Sequence, residues 1–499
     1  MTDTALSPAD DRRRWLALYA LCLGMLMIIL DGTIVNVALP SIQEDLGFSQ
    51  AGLAWVVNAY LIPFGGLLLL AGRLGDLIGR KLMFTTGLGL FVGASALCGL
   101  AQSDEVLIGA RFLQGVGGAL TSAVILGMIV TMFPERREQA KAIGVYSFVA
   151  AGGASIGLLL GGVLTEAINW HWIFFVNLPI GAATAIFVHR LLERDEGIGL
   201  DKGADVPGAV LVTSSLMLGV YTIVEAANHG WGSARTIVLG AIALALMAGF
   251  IARQATAATP LVPLRMFRSR NVSGANVVQV LMVAGMFGVF FLGALYMQRV
   301  LGYTPVQVGL GFLPVAVLIG ALSLGVSNRL IVRFGARATL IPGLSLAAVG
   351  LLLFTRVGVD STYAADLLPT MLLLGTGAGL VFPSLMTLAM SGATESDAGL
   401  ASGLVNTTLQ VGGALGLAVL ATLSTTHTDG LLAEGAAAPS ALVEGYQVAF
   451  FVAAGFLVAA VATAITVLRP VPAAGGEPEA VEAPAEEHDE VLQPAYGEA

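Results

Sequence analysis

Charged residues are scarce in this sequence. Only 11% of its 499 residues are Asp, Glu, Lys or Arg, whereas 56% are hydrophobic. A soluble domain carries roughly a quarter of its residues as charged ones. Because so few charges cannot cover a water-facing surface of this size, we expect most of the chain to face a lipid bilayer.

Residues that hold metals, disulfides and nucleotides are also few. The two cysteines, Cys22 and Cys98, both lie within apolar runs and have no metal-ligand or disulfide spacing. None of the three lysines follows a glycine, which excludes a phosphate-binding GxxxxGK[ST] loop. The five histidines are scattered, at positions 171, 189, 229, 427 and 488. We therefore expect no cofactor, metal, nucleotide or nucleic-acid partner and no enzymatic activity. If the protein uses an energy source, we expect it to be an ion gradient.

The net charge of -9 comes mostly from the end of the chain. After Arg469 there is no Lys or Arg, while eight Asp or Glu residues follow, so the remainder is nearly neutral. The segment 469–499 is rich in Pro, Ala and Glu, a composition typical of disorder. We predict a disordered acidic cytoplasmic tail.

Long apolar runs dominate the rest of the chain. A membrane-spanning helix needs about 20 mostly apolar residues. Fourteen runs satisfy this need, at 15–37, 53–72, 82–101, 106–128, 141–164, 171–190, 207–225, 236–252, 272–297, 306–328, 338–355, 366–390, 399–423 and 447–468. The first lacks a small-residue cleavage site, so we interpret it as a retained helix and not a signal peptide.

The segments that connect the predicted spans are alternately rich and poor in Lys and Arg. If residues 1–14 are cytoplasmic, the cytoplasmic segments hold nearly all the Lys and Arg, and the outer segments hold only Arg235, Arg299 and Arg356. The positive-inside rule then predicts that both termini are cytoplasmic. Omitting the seventh and eighth helices together would preserve the same alternation.

One carboxylate, Asp31, lies well within a predicted span. Placing an Asp at a helix centre costs roughly 2.5–3.5 kcal/mol, so it tends to face a cavity or a partner. If the first helix ends at Pro40, the helical rise places Asp31 at about the depth of Arg111 in the fourth helix. We predict that Asp31 takes up and releases a proton beside Arg111. The alternative is a fixed structural ion pair.

Two glycine-rich segments predict close packing. The loop at 72–81 contains Gly72, Gly75, Asp76, Gly79, Arg80 and Lys81, and we predict a conformational latch there; the alternative is an ordinary basic loop. The fifth helix contains Gly153, Gly157, Gly161 and Gly162. The one-in-four spacing of the first three lines one face and permits a close crossing, which generic helix packing would also explain.

These features together resemble the major facilitator superfamily, specifically its fourteen-helix drug:proton antiporters. Residues 30–40 (LDGTIVNVALP) resemble the family's first-helix motif, whose Asp is implicated in proton coupling. The 72–81 segment (GRLGDLIGRK) resembles the motif thought to latch the two halves. Arg111–Gly115 resembles the fourth-helix motif, whose Arg is tied to proton transfer.

Two further segments add to the resemblance, and one position departs from it. Residues 170–181 (WHWIFFVNLPIG) resemble another family motif, with His171 where Arg is usual, and the segment from Ser402 to Gly413 resembles the thirteenth helix. The fifth-helix antiporter motif usually has Pro after glycine, but Leu158 follows Gly157 here. Leucine restores a backbone N–H and removes the cause of a bend, which weakens the expectation of antiport.

The resemblance implies an all-α polytopic membrane protein with the major facilitator fold, in which two additional helices lie between two six-helix bundles. We expect a cytoplasmic N-terminus at 1–14, bundles at 15–190 and 272–468, and a linker region with the extra helices at 191–271. The weaker repeat of the 72–81 pattern at 328–337 is consistent with a duplicated architecture.

The implied function is export of lipophilic or amphipathic small molecules in exchange for protons across a bacterial plasma membrane. Candidate substrate contacts are the polar or aromatic residues on plausible cavity faces, namely Asn58, Tyr60, Gln114, Asn276, Gln279, Phe287, Tyr296, Asn406 and Gln410. The alternatives are a coupled or facilitated importer of a small solute, and a non-transporting membrane scaffold. The sequence leaves substrate identity and oligomeric state open, a monomer being consistent with it.

Overall fold

The computed structural model describes residues 8–49, 52–193, 195–197, 199, 203–391 and 398–470. Throughout these residues the secondary structure is helical, without a strand. The α-helices are α1 (Pro8–Leu46), α2 (Trp55–Ile78), α3 (Arg80–Gly99), α4 (Asp104–Met132), α5 (Arg136–Ala167), α6 (Trp172–Phe175), α7 (Asn177–Leu191), α8 (Val206–His229), α9 (Ala234–Thr256), α10 (Arg270–Arg299), α11 (Pro305–Ala321), α12 (Ser327–Phe334), α13 (Ala336–Phe354), α14 (Leu368–Met390), α15 (Ala398–Ala433) and α16 (Ala438–Thr466).

All fourteen predicted spans fall on helices. In lipid every backbone N–H and C=O must be satisfied internally, which is why apolar runs of this length become helices. Twelve of the described helices are long and apolar enough to cross a membrane, and shorter apolar stretches lie in α5 and α11. A π-helical turn, Leu322–Val326, joins α11 to α12, so this helix continues to Phe334.

The helices form two bundles. Helices α1 to α7 pack together, as do α10 to α16, and the two bundles meet where α5 packs on α11 and α2 packs on α15. The extra helices α8 and α9 form a hairpin, and α8 also contacts α2 and α15. This confirms the predicted two six-helix bundles with two additional helices between them.

The two ends of the bundle differ in charge. We call the end that carries Arg73, Arg80 and Lys81 the basic face, and the other end the opposite face. At the opposite face the bundles are joined by hydrogen bonds: Gln298 Nε2 donates to the Val37 carbonyl at 2.9 Å, and the Val306 N–H donates to Glu166 at 3.3 Å. The bundles are therefore closed against each other on this side.

Asp205 holds the extra hairpin together at its basic end. Its carboxylate caps α8 through the Gly208 N–H at 3.0 Å and accepts from Arg253 Nε at 2.9 Å and from Gln254 Nε2 at 2.8 Å. Burial raises the pKa of Asp205, but the hydrogen bonds from Arg253 and Gln254 outweigh burial and lower the pKa overall. Asp205 thus stays ionised while it ties α8 to α9.

The first helix does not end where the sequence predicted. Helix α1 runs from Pro8 to Leu46, so Pro40 lies inside it and does not mark its outer end. Neighbouring helices in a membrane bundle can satisfy the backbone groups that a proline leaves free, so an internal proline is tolerated. The depth estimate for Asp31 therefore rested on a wrong helix end, although Asp31 and Arg111 do lie side by side.

Other boundaries also differ. The sixth predicted helix is two helices, α6 and α7, separated at Val176. Pro179 lacks the N–H that would bond to the Phe175 carbonyl, so the helix is interrupted there. Helix α15 extends to Ala433, well past the predicted residue 423, and α16 begins at Ala438 instead of 447. The predicted acidic tail beyond residue 470 lies outside the described residues.

The predicted glycines of α5 lie against neighbouring helices. A Cβ on Gly157 would lie 2.0 Å from Thr33 Oγ1, and one on Gly161 would lie 2.6 Å from the Ile34 carbonyl oxygen. Gly153 also faces α1, whereas Gly162 faces α11, where a Cβ would be 2.7 Å from the Pro305 carbonyl oxygen. The close crossing of α1 and α5 thus leaves no room for a side chain at these positions.

We expect Gly161→Val to destabilise the protein, because the added side chain would displace the backbone of α1. Overpacking of this kind costs about 1–3 kcal/mol. Gly89→Val is the matched control, since no atom lies within 4 Å of a Cβ built there. Thermal unfolding of both purified variants checks this, and equal stability of the two would contradict the packing described.

Candidate functional site

The centre of the first bundle contains a buried ion pair between α1 and α4. Arg111 Nη1 lies 2.6 Å from Asp31 Oδ2, and both side chains are 0% exposed. The predicted proximity of the two residues is confirmed. The pair forms because both residues project into the same bundle interior, where lipid can satisfy neither charge.

Neutral amides saturate the second oxygen of the Asp31 carboxylate. Oδ1 accepts from Gln114 Nε2 at 2.7 Å and from Asn177 Nδ2 at 2.9 Å. Both amides also donate to Ser95 Oγ, at 2.8 and 3.3 Å, and the Ser95 hydroxyl donates to the Phe91 carbonyl. Four helices, α1, α3, α4 and α7, thus contribute to one buried polar network.

Arg111 is held from several sides. Its Nε donates to the Val56 carbonyl of α2 at 2.9 Å, and Nη1 donates to Gln114 Oε1 at 2.7 Å. The guanidinium lies 4.4 Å from the centre of the Tyr60 ring and 5.7 Å from that of Phe174. Such aromatic faces attract a cation, more strongly where it is desolvated.

Several polar atoms near this network remain unsatisfied. Arg111 Nη2 and Asn177 Oδ1 are buried without a hydrogen-bond partner among the described residues, as are both side-chain polar atoms of Asn58. An unpaired buried polar atom costs about 1–3 kcal/mol. A buried network with unused donors and acceptors can rearrange when its charge changes, which a fully saturated one could do only by breaking bonds.

The glycine-rich segment 72–81 lies at the basic face. Arg80 Nη2 pairs with Asp76 at 2.9 Å, and Arg80 Nη1 donates to the Gly127 carbonyl of α4 at 2.9 Å. Gly79 has φ +105°, a backbone conformation that favours glycine. A Cβ on Gly75 would lie 2.4 Å from Val124, whereas one on Gly72 would have ample space.

Asp195, just after α7, completes this segment. Its carboxylate accepts from the N–H groups of Arg80 at 2.6 Å and Lys81 at 2.9 Å, and so caps the start of α3. Lys81 Nζ donates to the Leu192 carbonyl. These contacts are all within the first bundle, so a latch between the two halves stays a prediction.

Two of the candidate substrate residues belong to the charged centre. Gln114 is part of the Asp31 network and Tyr60 lies beneath Arg111. Their positions favour a role in the charge network over direct contact with a ligand. Asn58 is fully buried on the same helix as Tyr60.

The remaining candidates lie in or beside the second bundle. Asn276 bonds to the Val272 carbonyl and Thr408, the Tyr296 hydroxyl donates to the Gly358 carbonyl, and Phe287 lies against Gly413. Of the other three, Gln279 and Gln410 are buried and Asn406 is exposed. Ligand contact at these positions stays a prediction.

Sequence reasoning missed two members of the network, Ser95 and Asn177. Both are polar residues within otherwise apolar spans, and Asn177 lies in the 170–181 motif quoted above. A search for buried polar residues as well as charged ones would have found them.

A double bundle of membrane-spanning helices around a buried ion pair defines a polytopic membrane protein of the transporter class. The chain belongs to the Major Facilitator Superfamily, whose family model matches residues 21–417.

Several known proteins are similar to this chain. It is 38% identical over 458 residues to the puromycin resistance protein pur8 of Streptomyces alboniger, covering 91% of each chain. It is also 38% identical to the cephamycin export protein CmcT of Amycolatopsis lactamdurans, over 91% of this chain and 92% of that one. A solved bacterial homologue of the human lysosomal transporter Spinster has the same fold, with a TM-score of 0.64 at 19% identity, covering 92% of this chain and 97% of that one.

We expect Arg111→Leu to destabilise the protein strongly, because the Asp31 carboxylate would remain buried without its cation. Breaking a buried ion pair in this way costs about 3–5 kcal/mol. The double variant Asp31→Asn, Arg111→Leu should recover part of the loss.

Arg235→Leu provides the control for this prediction. It breaks the half-exposed pair between Arg235 and Glu225, and such pairs contribute about 0–1 kcal/mol. Chemical unfolding at neutral pH measures all three variants. Arg111→Leu unfolding like Arg235→Leu would show that the buried pair contributes no more than a surface one.

Proposed function

We propose that this protein exports lipophilic or amphipathic small molecules across a bacterial plasma membrane in exchange for protons, with both termini in the cytoplasm. The observation that carries the proposal is the fully buried Asp31–Arg111 pair. The charge distribution between connecting segments supports the orientation, which makes the basic face cytoplasmic. The names of two relatives, a puromycin resistance protein and a cephamycin export protein, support efflux of small organic molecules.

Asp31 is the proposed proton carrier. Among the described residues it is the carboxylate with a fully buried side chain deep in a span. Protonation would neutralise Asp31 and remove its attraction to Arg111, which changes the electrostatic balance between α1 and α4. A change of charge at a helix contact is the kind of local event that can bias two arrangements of a bundle.

The cycle requires movement of the two bundles. Asp31 is 0% exposed and the bundles are joined at the opposite face, so water reaches it only when helices move apart. Alternating access of this type is largely rigid-body rocking of one bundle against the other.

The available energy is sufficient for useful export. One charge that crosses 100 mV releases about 2.3 kcal/mol, which corresponds to roughly a fifty-fold concentration ratio of an uncharged substrate.

Leu158 in place of the family's proline leaves the α5 backbone N–H intact, and the helix continues through this position. We therefore propose that exchange operates with a continuous fifth helix that has no proline after Gly157.

Transport in everted vesicles tests the function. An acidic lumen should drive accumulation of amphipathic compounds such as puromycin, and collapse of the pH gradient should abolish it. Asp31→Asn should reduce gradient-driven accumulation to the level of vesicles that lack the protein, because the substituted amide cannot carry a proton.

The control is Asp366→Asn, which removes a carboxylate that bonds to the Thr362 N–H outside the buried network. It should transport like the unmodified protein. An importer coupled to protons would instead release substrate from the acidic lumen, and a scaffold would move none. Accumulation that is unaffected by both the gradient and Asp31→Asn would refute proton exchange.

A further inference from the structure

The two amides that bond to Asp31 differ in what else they contact. Gln114 Oε1 accepts from Arg111 Nη1 at 2.7 Å and from the Cys98 thiol at 3.6 Å. Asn177 Oδ1, in contrast, is buried without a hydrogen-bond partner among the described residues. One amide has its carbonyl oxygen engaged, and the other has it unused.

This difference matters when Asp31 gains a proton. Oδ2 faces the Arg111 guanidinium, which can only donate, so the proton is favoured on Oδ1. There the new O–H would meet two N–H donors, from Gln114 and Asn177. A donor that faces a donor leaves the buried O–H unsatisfied, so one of the amides must present an oxygen instead.

Only Asn177 can do so without placing two donors face to face. A half-turn of the Gln114 amide would place its NH₂ group against the Arg111 guanidinium, which also donates. A half-turn of the Asn177 amide exchanges Nδ2 with Oδ1, and the unused oxygen then accepts the Asp31 O–H. The Ser95 hydroxyl, which now accepts from Asn177 at 3.3 Å, can rotate to donate to the same oxygen.

We propose that Asn177 is a positioning residue whose side-chain amide rotates when Asp31 is protonated, donating to the carboxylate and accepting from the carboxylic acid. This inference rests on the proposed role of Asp31 as proton carrier. The charged and titratable side chains that face Asp31 are Arg111 from α4, Tyr60 from α2 and Cys98 from α3.

Asn177 lies at a break between two helices, where a rotation of its side chain can affect the direction of the chain. Asn177 is the first residue of α7, directly after the interruption at Val176. Both the short helix α6 before it and α7 pack on α1 and α3, and α6 also packs on α5. The amide therefore connects the protonation state of α1 to a break between two helices, where small changes of direction are least costly.

Infrared difference spectroscopy on the reconstituted full-length protein tests the proposal. Spectra recorded at acidic and alkaline pH should differ by the carbonyl band of a protonated carboxyl group, absent in Asp31→Asn. They should also differ by a side-chain amide carbonyl band that shifts when asparagine is labelled with carbon-13. The label distinguishes this amide from that of Gln114.

Three variants determine the origin of the amide band. Asn177→Leu keeps similar volume without polar atoms and should abolish the band. Asn177→Ser, with a smaller hydroxyl that both donates and accepts, should also lack the band. Because serine keeps a polar group in the network, this variant should fold even if the leucine variant does not. Ser95→Ala is the matched control, since it changes the same network but leaves the amide, and should retain the band.

The possible results separate the two proposals. A carboxyl band together with an amide band that both Asn177 variants lose supports rotation of Asn177. A carboxyl band with an asparagine band that survives in the Asn177 variants, or with none at all, overturns the rotation but leaves Asp31 as the carrier. Absence of the carboxyl band at every accessible pH overturns the role of Asp31 itself.

Discussion

The low dielectric of the bundle interior is the constraint on which this structure depends. An isolated charge there is so unfavourable that it neutralises or finds a partner. Asp31 therefore brings with it Arg111, two amides and a serine, and two aromatic rings, Tyr60 and Phe174, lie against the guanidinium; these groups come from helices that are far apart in sequence. The polar network specifies how α1, α3, α4 and α7 are arranged, because each helix must place one group at the same point.

Small residues make that arrangement possible. In lipid there is little hydrophobic driving force between helices, so close packing and interhelical hydrogen bonds hold the bundle. Gly157 and Gly161 let α5 approach α1, and Gly115 lets α4 approach α2, where a Cβ would lie 2.3 Å from the Tyr60 carbonyl oxygen. The close approach of α4 brings Arg111 within reach of both the Val56 carbonyl and the Asp31 carboxylate.

The same physics bears on the proposed proton exchange. A saturated carboxylate is stable in one protonation state only, since its surrounding donors cannot serve a carboxylic acid. The unused Asn177 oxygen is a cost that the fold bears in one state. Such a cost is expected if the site exists in two states, as the proposed proton exchange requires.

The sequence by itself determined the membrane environment, the helical class and the two partners of the buried pair, Asp31 and Arg111, because apolar length, charge placement and an isolated acid in a span are local properties of the chain. The two-bundle plan followed from the resemblance of its motifs to a known family. The predicted helix end at Pro40 was wrong and the break at Val176 was missed, since neighbouring helices decide whether a proline ends, bends or merely interrupts a helix. Only the tertiary structure decided that Ser95 and Asn177 join the pair and that one amide has an unused oxygen. Hydrogen-bond partners in a bundle come from distant segments, and no local pattern specifies which polar side chains converge.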